Sequence, residues 1–329
     1  MWKTLNYEVI GKSHIKAKKV CQDKTFTYKE NGAIVSALAD GAGSYEFSDI
    51  GAIIACKSIS KYIGDNFDEL INISNANEVI TRIVNHVVND IENKAEEMHC
   101  DKEKLSSTLL CVAIKNEDVM VFHVGDGLIA GLKNGELKTL TMPDNGEFAN
   151  ATYFITSPRA YEKARLLKGK TTGFQGFALM SDGSSASLYN KKLQKPTNAI
   201  AKLIVGLQFT FPQAYLDTVK YLMDYEIHER TTDDCSIALI AANEITKEEF
   251  DSFPKKDKCK LFDVKLNTKD VSIDERFRIL KYTSETKELL DISKYINLSK
   301  RKTLYRLKSL AKLGMIERNK DEFTSSIKW

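Results

Sequence analysis

Leu38-Ala39-Asp40-Gly41-Ala42-Gly43 closes an apolar run that begins at Ala33. The run predicts a mostly buried strand over residues 33–39. The strand stops abruptly at an acid that is followed by glycine. Such a tip is suited to a metal ion, because the aspartate supplies a carboxylate and the adjacent glycine lets its own carbonyl approach the ion.

The same feature recurs three times further along the chain. Apolar runs end at Gly125-Asp126-Gly127 and at Ser181-Asp182-Gly183, and Asp233-Asp234 precedes the apolar run 235–241. Clustered carboxylates repel each other, and hard divalent cations with oxygen ligands remove that cost. The pattern therefore predicts a magnesium or manganese site. The competing interpretation is that these are four unrelated turns, since Asp-Gly is a common turn sequence.

Composition indicates a globular protein with an unevenly charged tail. The chain has 329 residues and a net charge of +3, and residues 285–329 carry eleven Lys and Arg against six Asp and Glu. No C-x-x-C pair, apolar leader or run of eighteen apolar residues is present. These observations exclude a zinc ribbon and a membrane-spanning protein, and they predict a cytoplasmic location without membrane contact.

The order of predicted elements gives a large domain and a small one. Strands and amphipathic helices alternate over residues 1–245, residues 246–271 are predicted as a linker, and helical periodicity resumes over 272–329. A helix is expected after Asp49, which is a good N-cap residue. Residues 142–175 are expected to form an irregular surface excursion over the metal site, where they would influence substrate choice.

The ordered motifs resemble the metal-dependent serine/threonine phosphatases of type 2C, the PPM family. The motifs are Gln22-Asp23, Asp40-Gly41-x-Gly43, Ser106-Ser107-Thr108, Val124-Gly125-Asp126, Ser181-Asp182-Gly183 and Asp233-Asp234-x-Ser236. The resemblance covers about residues 5–243. It implies an α+β fold with a four-layer αββα sandwich, in which two antiparallel sheets pack face to face with helices outside.

The resemblance also implies a role for each aspartate. Asp40 would bridge two Mn²⁺ or Mg²⁺ ions and the Gly41 carbonyl would bind one of them. Asp182 and Asp233 would bind the other, with Asp234 as the second choice because the family often has Asn there. Asp23 would hold metal-bound water, and Asp126 would bind a third, weaker metal.

Several accessory positions depart from the family pattern. The phosphate-binding arginine is replaced by Lys18, which lacks the bidentate guanidinium. Gln22 stands where many members have Glu, and Ala42 stands where some have a histidine that acts as a general acid. Ala186 lies where a second acid would support the third metal. With His14 as a candidate helper, we expect an active enzyme whose rate these departures could lower.

The basic tail resembles a winged helix-turn-helix. Residues 289–296 and 300–313 predict two helices, with Ser299 as N-cap and Gly314 as C-cap, and two short strands follow around residues 319–321. The second helix carries basic residues that would meet DNA phosphates. These candidate nucleic-acid-binding residues are Lys300, Arg301, Lys302, Arg306 and Lys308.

The leading hypothesis is a phosphoserine/phosphothreonine protein phosphatase with a binuclear Mn²⁺ or Mg²⁺ centre and metal-bound water as the nucleophile. Its tail would recruit it to DNA or to a partner such as a cognate kinase. Two alternatives stay open: a catalytically weak phosphatase-fold sensor whose winged helix binds DNA, and a phosphatase whose tail only forms dimers.

Overall fold

A computed structural model of the protein describes residues 2–142 and 152–327. Its strands are β1 (Trp2–Val9), β2 (Lys24–Glu30), β3 (Ala33–Ala39), β4 (Leu109–Lys115), β5 (Asp118–Val124), β6 (Leu128–Lys133), β7 (Glu136–Thr141), β8 (Arg165–Lys170), β9 (Phe174–Met180), β10 (Tyr189–Asn190), β11 (Lys195–Pro196), β12 (Cys235–Ala242), β13 (Lys287–Glu288), β14 (Ile316–Asn319) and β15 (Glu322–Ser325).

Its helices are α1 (Lys12–Ala17), α2 (Ser48–Asp65), α3 (Phe67–Asn72), α4 (Ala76–Glu97), α5 (Ala160–Lys163), α6 (Asp182–Leu188), α7 (Asn198–Phe209), α8 (Pro212–Tyr221), α9 (Lys247–Ser252), α10 (Lys255–Leu261), α11 (Asp270–Tyr282), α12 (Leu289–Ile296) and α13 (Lys300–Lys312). A 3₁₀ turn covers Lys102–Leu105, and α8 continues as a π-helical segment, Leu222–Ile227, and a 3₁₀ turn, His228–Arg230.

Two five-stranded antiparallel sheets form the centre of the molecule. The first has the strand order β1-β12-β9-β6-β7 and the second has the order β2-β3-β4-β5-β8. Strands β2 and β3 form the predicted hairpin, and its turn residues Asn31 and Gly32 have φ of 53° and 75°. Positive φ at both positions matches the twist of paired strands, which is why Asn-Gly encodes this turn.

The two sheets pack face to face through apolar side chains that alternate along the strands. Leu38 and Leu110 of the second sheet and Phe177, Leu179 and Ile240 of the first are fully buried between them. Burying each large apolar side chain contributes roughly 1.5–3 kcal/mol. Helices α2 and α4 cover the outer face of the second sheet, and α7 and α8 cover that of the first. The predicted α+β class, with two antiparallel sheets flanked by helices, is confirmed.

Residues 247–327, here called the C-terminal module, have their own apolar core. Its largest buried side chains are Phe250, Phe262, Phe277 and Phe323. The element order from α11 is helix, short strand, helix, helix and two strands, and the strands form a sheet of order β13-β15-β14. The Ser299 side chain caps α13 by accepting a hydrogen bond from the Lys302 amide, as the sequence predicts.

Three local expectations differ from the structure. Residues 246–271, expected to be a linker, contain α9 and α10, which bury Phe250 and Phe262 in the C-terminal module because apolar residues recur within an otherwise highly charged segment. Within 142–175, β8 pairs with β5 and is not irregular, while residues 143–151 of that segment lie outside the described ranges. Asp49 does not cap α2, which begins at Ser48.

None of the helices in residues 2–142 and 152–327 has the length and apolar character that are needed to cross a bilayer.

Candidate metal centre

The predicted acids lie along one rim of the two sheets. In antiparallel sheets the end of one strand lies beside the start of its neighbour. Ala39 at the end of β3 pairs with Lys24 at the start of β2, and Met180 at the end of β9 pairs with Leu128 and Ile237. The acids that adjoin these strand ends are Asp23, Asp40, Asp126, Asp182, Asp233 and Asp234.

The carboxylates at this rim repel one another. Burial raises the pKa of Asp40 well above its usual range, and the charges of Asp23, Asp182 and Asp233 raise it further. Burial also raises the pKa of Asp182 to about 6, with Asp126 and Asp233 adding to the shift. Without a metal ion, the negative charge of these carboxylates is therefore not balanced by the groups around them.

Asp23 is a fully buried carboxylate whose oxygens lack hydrogen-bond partners among the described residues. Burial raises its pKa to about 7, even though the nearby hydroxyls of Ser236 and Ser181 act in the opposite direction. A buried carboxylate without partners is costly, and such a group indicates a missing water or ion.

The loop that starts at Asp40 is fixed by backbone contacts. The Asp40 amide donates to Thr108 Oγ1 at 2.9 Å, and the Thr108 amide donates to the Asp40 carbonyl at 2.8 Å. The Gly41 amide donates to the Gln22 carbonyl at 3.2 Å. A Cβ atom on Gly41 would lie 2.8 Å from the Ser48 carbonyl oxygen, so the loop has no room for a side chain there.

These residues fit a hard divalent ion. In the described parts of the chain, no group of three or more His, Cys, Asp and Glu side chains is positioned to hold a metal ion. The donor set is nevertheless all oxygen, which suits magnesium or manganese. The charges of Asp126 and Asp233 raise the pKa of Asp182, and such mutual repulsion of carboxylates is what a bound cation would relieve.

The two acids before β12 have different surroundings. Asp233 is exposed, and its Oδ1 accepts a hydrogen bond from the Asp234 amide at 2.9 Å. Asp234 is buried and accepts hydrogen bonds from Gly11, Gln22 and His14. Asp233 is therefore the more available of the two for a metal ion.

Asp126 lies with the other acids, as expected from the sequence. Its carboxylate raises the pKa of Asp182 and contributes to the raised pKa of Asp233. Its Oδ2 accepts a hydrogen bond from Thr152 Oγ1 at 2.6 Å. Sequence reasoning missed Thr152, because nothing in the surrounding irregular segment sets this threonine apart from others.

The lysine beside the site is Lys19. The Lys19 ammonium donates to the Gly43 carbonyl at 2.8 Å, whereas Lys18 ends α1 in a left-handed conformation with φ of 55°. The Lys18 side chain is exposed and makes no hydrogen bond or ion pair to any described residue. The sequence alone could not show which of these two adjacent lysines contacts the Gly43 carbonyl, because the left-handed backbone conformation at Lys18 determines this.

Comparisons with known proteins identify the family of this chain. A family model described as protein phosphatase 2C matches residues 10–212. Serine/threonine-protein phosphatase 3 of Escherichia coli (strain K12) is 26% identical over 253 residues, which span 72% of this chain and 97% of that protein.

Solved structures show the same fold. A bacterial serine phosphatase has a TM-score of 0.54 at 16% identity, covering 73% of this chain and 98% of its own. The serine/threonine phosphatase Stp1 from Staphylococcus aureus has a TM-score of 0.51 at 16% identity, covering 74% and 95%. The chain belongs to the protein phosphatase 2C family, which confirms the predicted enzyme class, a serine/threonine protein phosphatase.

Proposed function

We propose that the protein hydrolyses phosphoserine and phosphothreonine in other proteins with two Mn²⁺ or Mg²⁺ ions. Asp40, the Gly41 carbonyl, Asp182 and Asp233 would hold them. The observation that carries this proposal is the cluster of uncompensated carboxylates at one rim of the two sheets. When bound, such a pair of ions supplies a water of lowered pKa for in-line attack on phosphorus.

The remaining residues at the rim have supporting tasks. The buried Asp23 oxygens accept hydrogen bonds from water in the site, because no described protein group occupies them. Lys19, fixed at the Gly43 carbonyl, and the exposed Lys18 attract the phosphate group. Asp126 is the proposed ligand of a third, weaker ion. The Ala42 side chain has no ionisable group, so it cannot protonate the leaving group.

The test is hydrolysis of an aryl phosphate and of a phosphothreonine peptide, with manganese and with a chelator, by wild type and Asp182→Asn. Manganese-dependent turnover that is lost in the variant would support the proposal. A folded wild-type protein that binds manganese and hydrolyses neither compound would favour the alternative of a catalytically weak sensor.

Removal of residues 152–164 without a change in peptide preference would contradict a role of the 142–175 segment in substrate choice.

A second function is favoured by the exposed surface of α13. The exposed residues Arg301, Tyr305, Lys308 and Lys312 follow one another at intervals of four, three and four, which places them on one face of the helix. The helix has no acidic residue. The element order of the C-terminal module resembles that of a winged helix, and together with this stripe it supports the proposal that the helix binds in a DNA major groove.

One of the five candidate basic residues is engaged elsewhere. The Arg306 guanidinium binds the Glu275 carboxylate with Nη2 and Oε2 3.1 Å apart, and this mostly buried pair joins α13 to α11. Arg306 therefore stabilises the C-terminal module, while Lys300, Arg301, Lys302 and Lys308 stay exposed.

Two measurements, retention on duplex DNA and molecular mass at several protein concentrations, separate the three roles proposed for the module. Salt-sensitive retention of wild type on duplex DNA, unchanged in Asp40→Asn, supports recruitment to DNA. No retention together with a molecular mass that rises with protein concentration supports a tail used only for dimerisation. No retention with a constant mass supports binding of a protein partner, for which a cognate kinase is the proposed class.

A further inference from the structure

We infer that Asp234 is not a metal ligand but a positioning residue of the metal centre, and that His14 is its partner. The inference rests on the proposed function, since it concerns how the ligands of the proposed ions are held. It assigns a task to two residues that the proposed reaction leaves unused.

The hydrogen bonds of Asp234 occupy both of its oxygens. Oδ1 accepts from the Gly11 amide at 2.6 Å, and Oδ2 accepts from the Gln22 amide at 2.5 Å and faces His14 Nδ1 at 2.9 Å. The residue is 2% exposed. Hydrogen bonds to an ionised carboxylate are short and roughly twice as strong as neutral ones. Asp234 therefore holds both ends of the segment 11–22.

This segment needs such an anchor because it has little packing of its own. Helix α1 buries none of its side chains, and residues 15–20 are all exposed. Apart from Asp234, the start of α1 is held at Thr232, whose carbonyl accepts hydrogen bonds from the Ser13 amide at 2.9 Å and from the Ser13 hydroxyl at 2.6 Å. An exposed ion pair between Lys12 and Glu229, with Nζ and Oε2 2.8 Å apart, adds a further contact.

Two successive hydrogen bonds connect Asp234 to the loop of the proposed ligands. Its carboxylate fixes the Gln22 amide, and the Gln22 carbonyl in turn accepts the Gly41 amide at 3.2 Å. Gln22 also directly precedes Asp23, the buried acid without partners. Displacement of the Gln22 peptide would therefore shift Asp23 and the loop that carries Asp40 and Gly41.

The backbone around Asp234 has no room to move. A Cβ atom on Gly11 would lie 2.3 Å from the Asp233 carbonyl carbon, and one on Gly183 would lie 2.1 Å from the Asp234 carbonyl oxygen. Residues 233–234 are thus enclosed by the loop that starts at Gly11 and by the turn that carries Asp182. Asp233 is exposed, whereas the carboxylate of Asp234 is directed to the segment 11–22.

The test compares Asp234→Asn with Asp233→Asn in the full-length protein. Asparagine keeps the size of the side chain but cannot accept all three hydrogen bonds while presenting an NH₂ group. Two quantities are measured: amide hydrogen exchange of the metal-free protein in peptides that contain Gln22 and Gly41, and Mn²⁺ affinity from the EPR signal of free Mn²⁺. Circular dichroism establishes that each variant is folded.

We expect Asp234→Asn to accelerate exchange at Gln22 and Gly41 at least tenfold and to weaken Mn²⁺ binding by about 10- to 100-fold, the usual effect of removing a partner of a metal ligand. Asp233→Asn should weaken Mn²⁺ binding more and leave exchange at Gln22 unchanged. Loss of Mn²⁺ affinity without faster exchange would make Asp234 a ligand and overturn the inference. Faster exchange with unchanged Mn²⁺ affinity would confine Asp234 to local stability and would also overturn it.

His14 provides a second, independent test. His14→Ala removes the donor, whereas His14→Asn keeps an N–H group near the position of Nδ1. We expect the alanine variant to weaken Mn²⁺ binding and the asparagine variant to restore it. In the Asp234→Asn background, His14→Ala should have almost no further effect, because the two residues act as one unit. Additive effects would contradict the pairing. Failure of the wild-type protein to bind Mn²⁺ would instead refute the proposed function itself.

Discussion

The Lys3 amine donates a hydrogen bond to the carbonyl of Gln208 at 2.6 Å and a longer one to that of Thr210 at 3.3 Å. Lys3 lies on β1, and the two carbonyls lie at the C-terminal end of α7, where helix carbonyls lack intrahelical partners. Between them, Phe209 enters the core of the C-terminal module. The contact therefore marks the joint between the sheets and that module.

Lys3 should make the stability of the protein depend on pH. Its side chain is 7% exposed, and burial lowers the pKa of its amine to about 7. In the unfolded chain the amine titrates near 10.4. Between these values the unfolded state binds more protons, so the contribution of Lys3 to the free energy of unfolding rises with pH.

Urea unfolding of wild type and Lys3→Met at pH 7, 8 and 9 measures this dependence. The difference in free energy of unfolding between the two proteins should move in favour of wild type as the pH increases. The matched control is Lys61→Met, which changes an exposed lysine on α2 and should give a difference that is independent of pH. A flat profile for Lys3→Met would show that the buried amine does not change its charge in this range.

Phe209 should be a major determinant of stability. It is fully buried, with ring centroids 6.2 Å from Phe250, 6.3 Å from Phe262 and 6.4 Å from Phe277. Phe209→Ala leaves a cavity at the joint and should cost about 3–5 kcal/mol. Thermal unfolding measures the loss, and Leu193→Ala, at a side chain that is 68% exposed, should change stability by less than about 0.5 kcal/mol.

Asp40→Asn should stabilise the metal-free protein. The substitution removes one charge from a cluster in which Asp23, Asp182 and Asp233 all repel it. We expect a gain of about 1 kcal/mol in EDTA, which corresponds to an increase in Tm of about 1–2 °C for a chain of 329 residues. With saturating Mn²⁺ the order should reverse, because only wild type gains the full binding energy. Asp217→Asn, an exposed acid on α8, serves as the control, and equal Tm values for wild type and Asp40→Asn in both conditions would contradict the repulsion.

Gly183→Ala should damage the site, whereas Gly169→Ala should not. A Cβ atom at position 183 would lie 2.1 Å from the Asp234 carbonyl oxygen, while one at position 169 would have no atom within 4 Å. The first substitution must displace the backbone of Asp182 or Asp234, and we expect at least a tenfold loss of Mn²⁺ affinity. The second should stay within about 0.5 kcal/mol of wild-type stability and bind Mn²⁺ normally. Calorimetric titration with Mn²⁺ gives both affinities.

Alanine at Arg301 or Lys308 should weaken DNA binding without altering phosphatase turnover. Each side chain is exposed on α13, far in the sequence from the carboxylates of the rim. Each variant should reduce the slope of log affinity against log salt concentration by about 1 if it removes one phosphate contact. Fluorescence anisotropy at several KCl concentrations measures the slope. Lys61→Ala is the control, and identical slopes for all variants would argue against α13 as the contact helix.

Much of the fold could be predicted from local sequence patterns. The apolar run Ala33–Ala39, the Asn31-Gly32 turn and the helical periodicity of α4 are local patterns, so they can be recognised without tertiary contacts. Strand β8 could not, because Arg165–Lys170 has no clean alternation and becomes the edge strand of its sheet only by pairing with β5. The helices of 246–271 were hidden by the surrounding charges.

The sequence alone showed that Asp40, Asp126 and Asp182 follow apolar strands and that Asp233 and Asp234 precede one, and antiparallel pairing predicted that these strand ends lie together. Asp23 was added only by the resemblance to the type 2C phosphatases. The division of tasks between neighbouring residues was decided only by the tertiary structure. Lys19, and not Lys18, donates a hydrogen bond to the Gly43 carbonyl. Asp234, and not Asp233, accepts hydrogen bonds from the segment 11–22. The reason is distance along the chain: Asp234 is held by Gly11, 223 residues earlier, and no local pattern encodes such a contact.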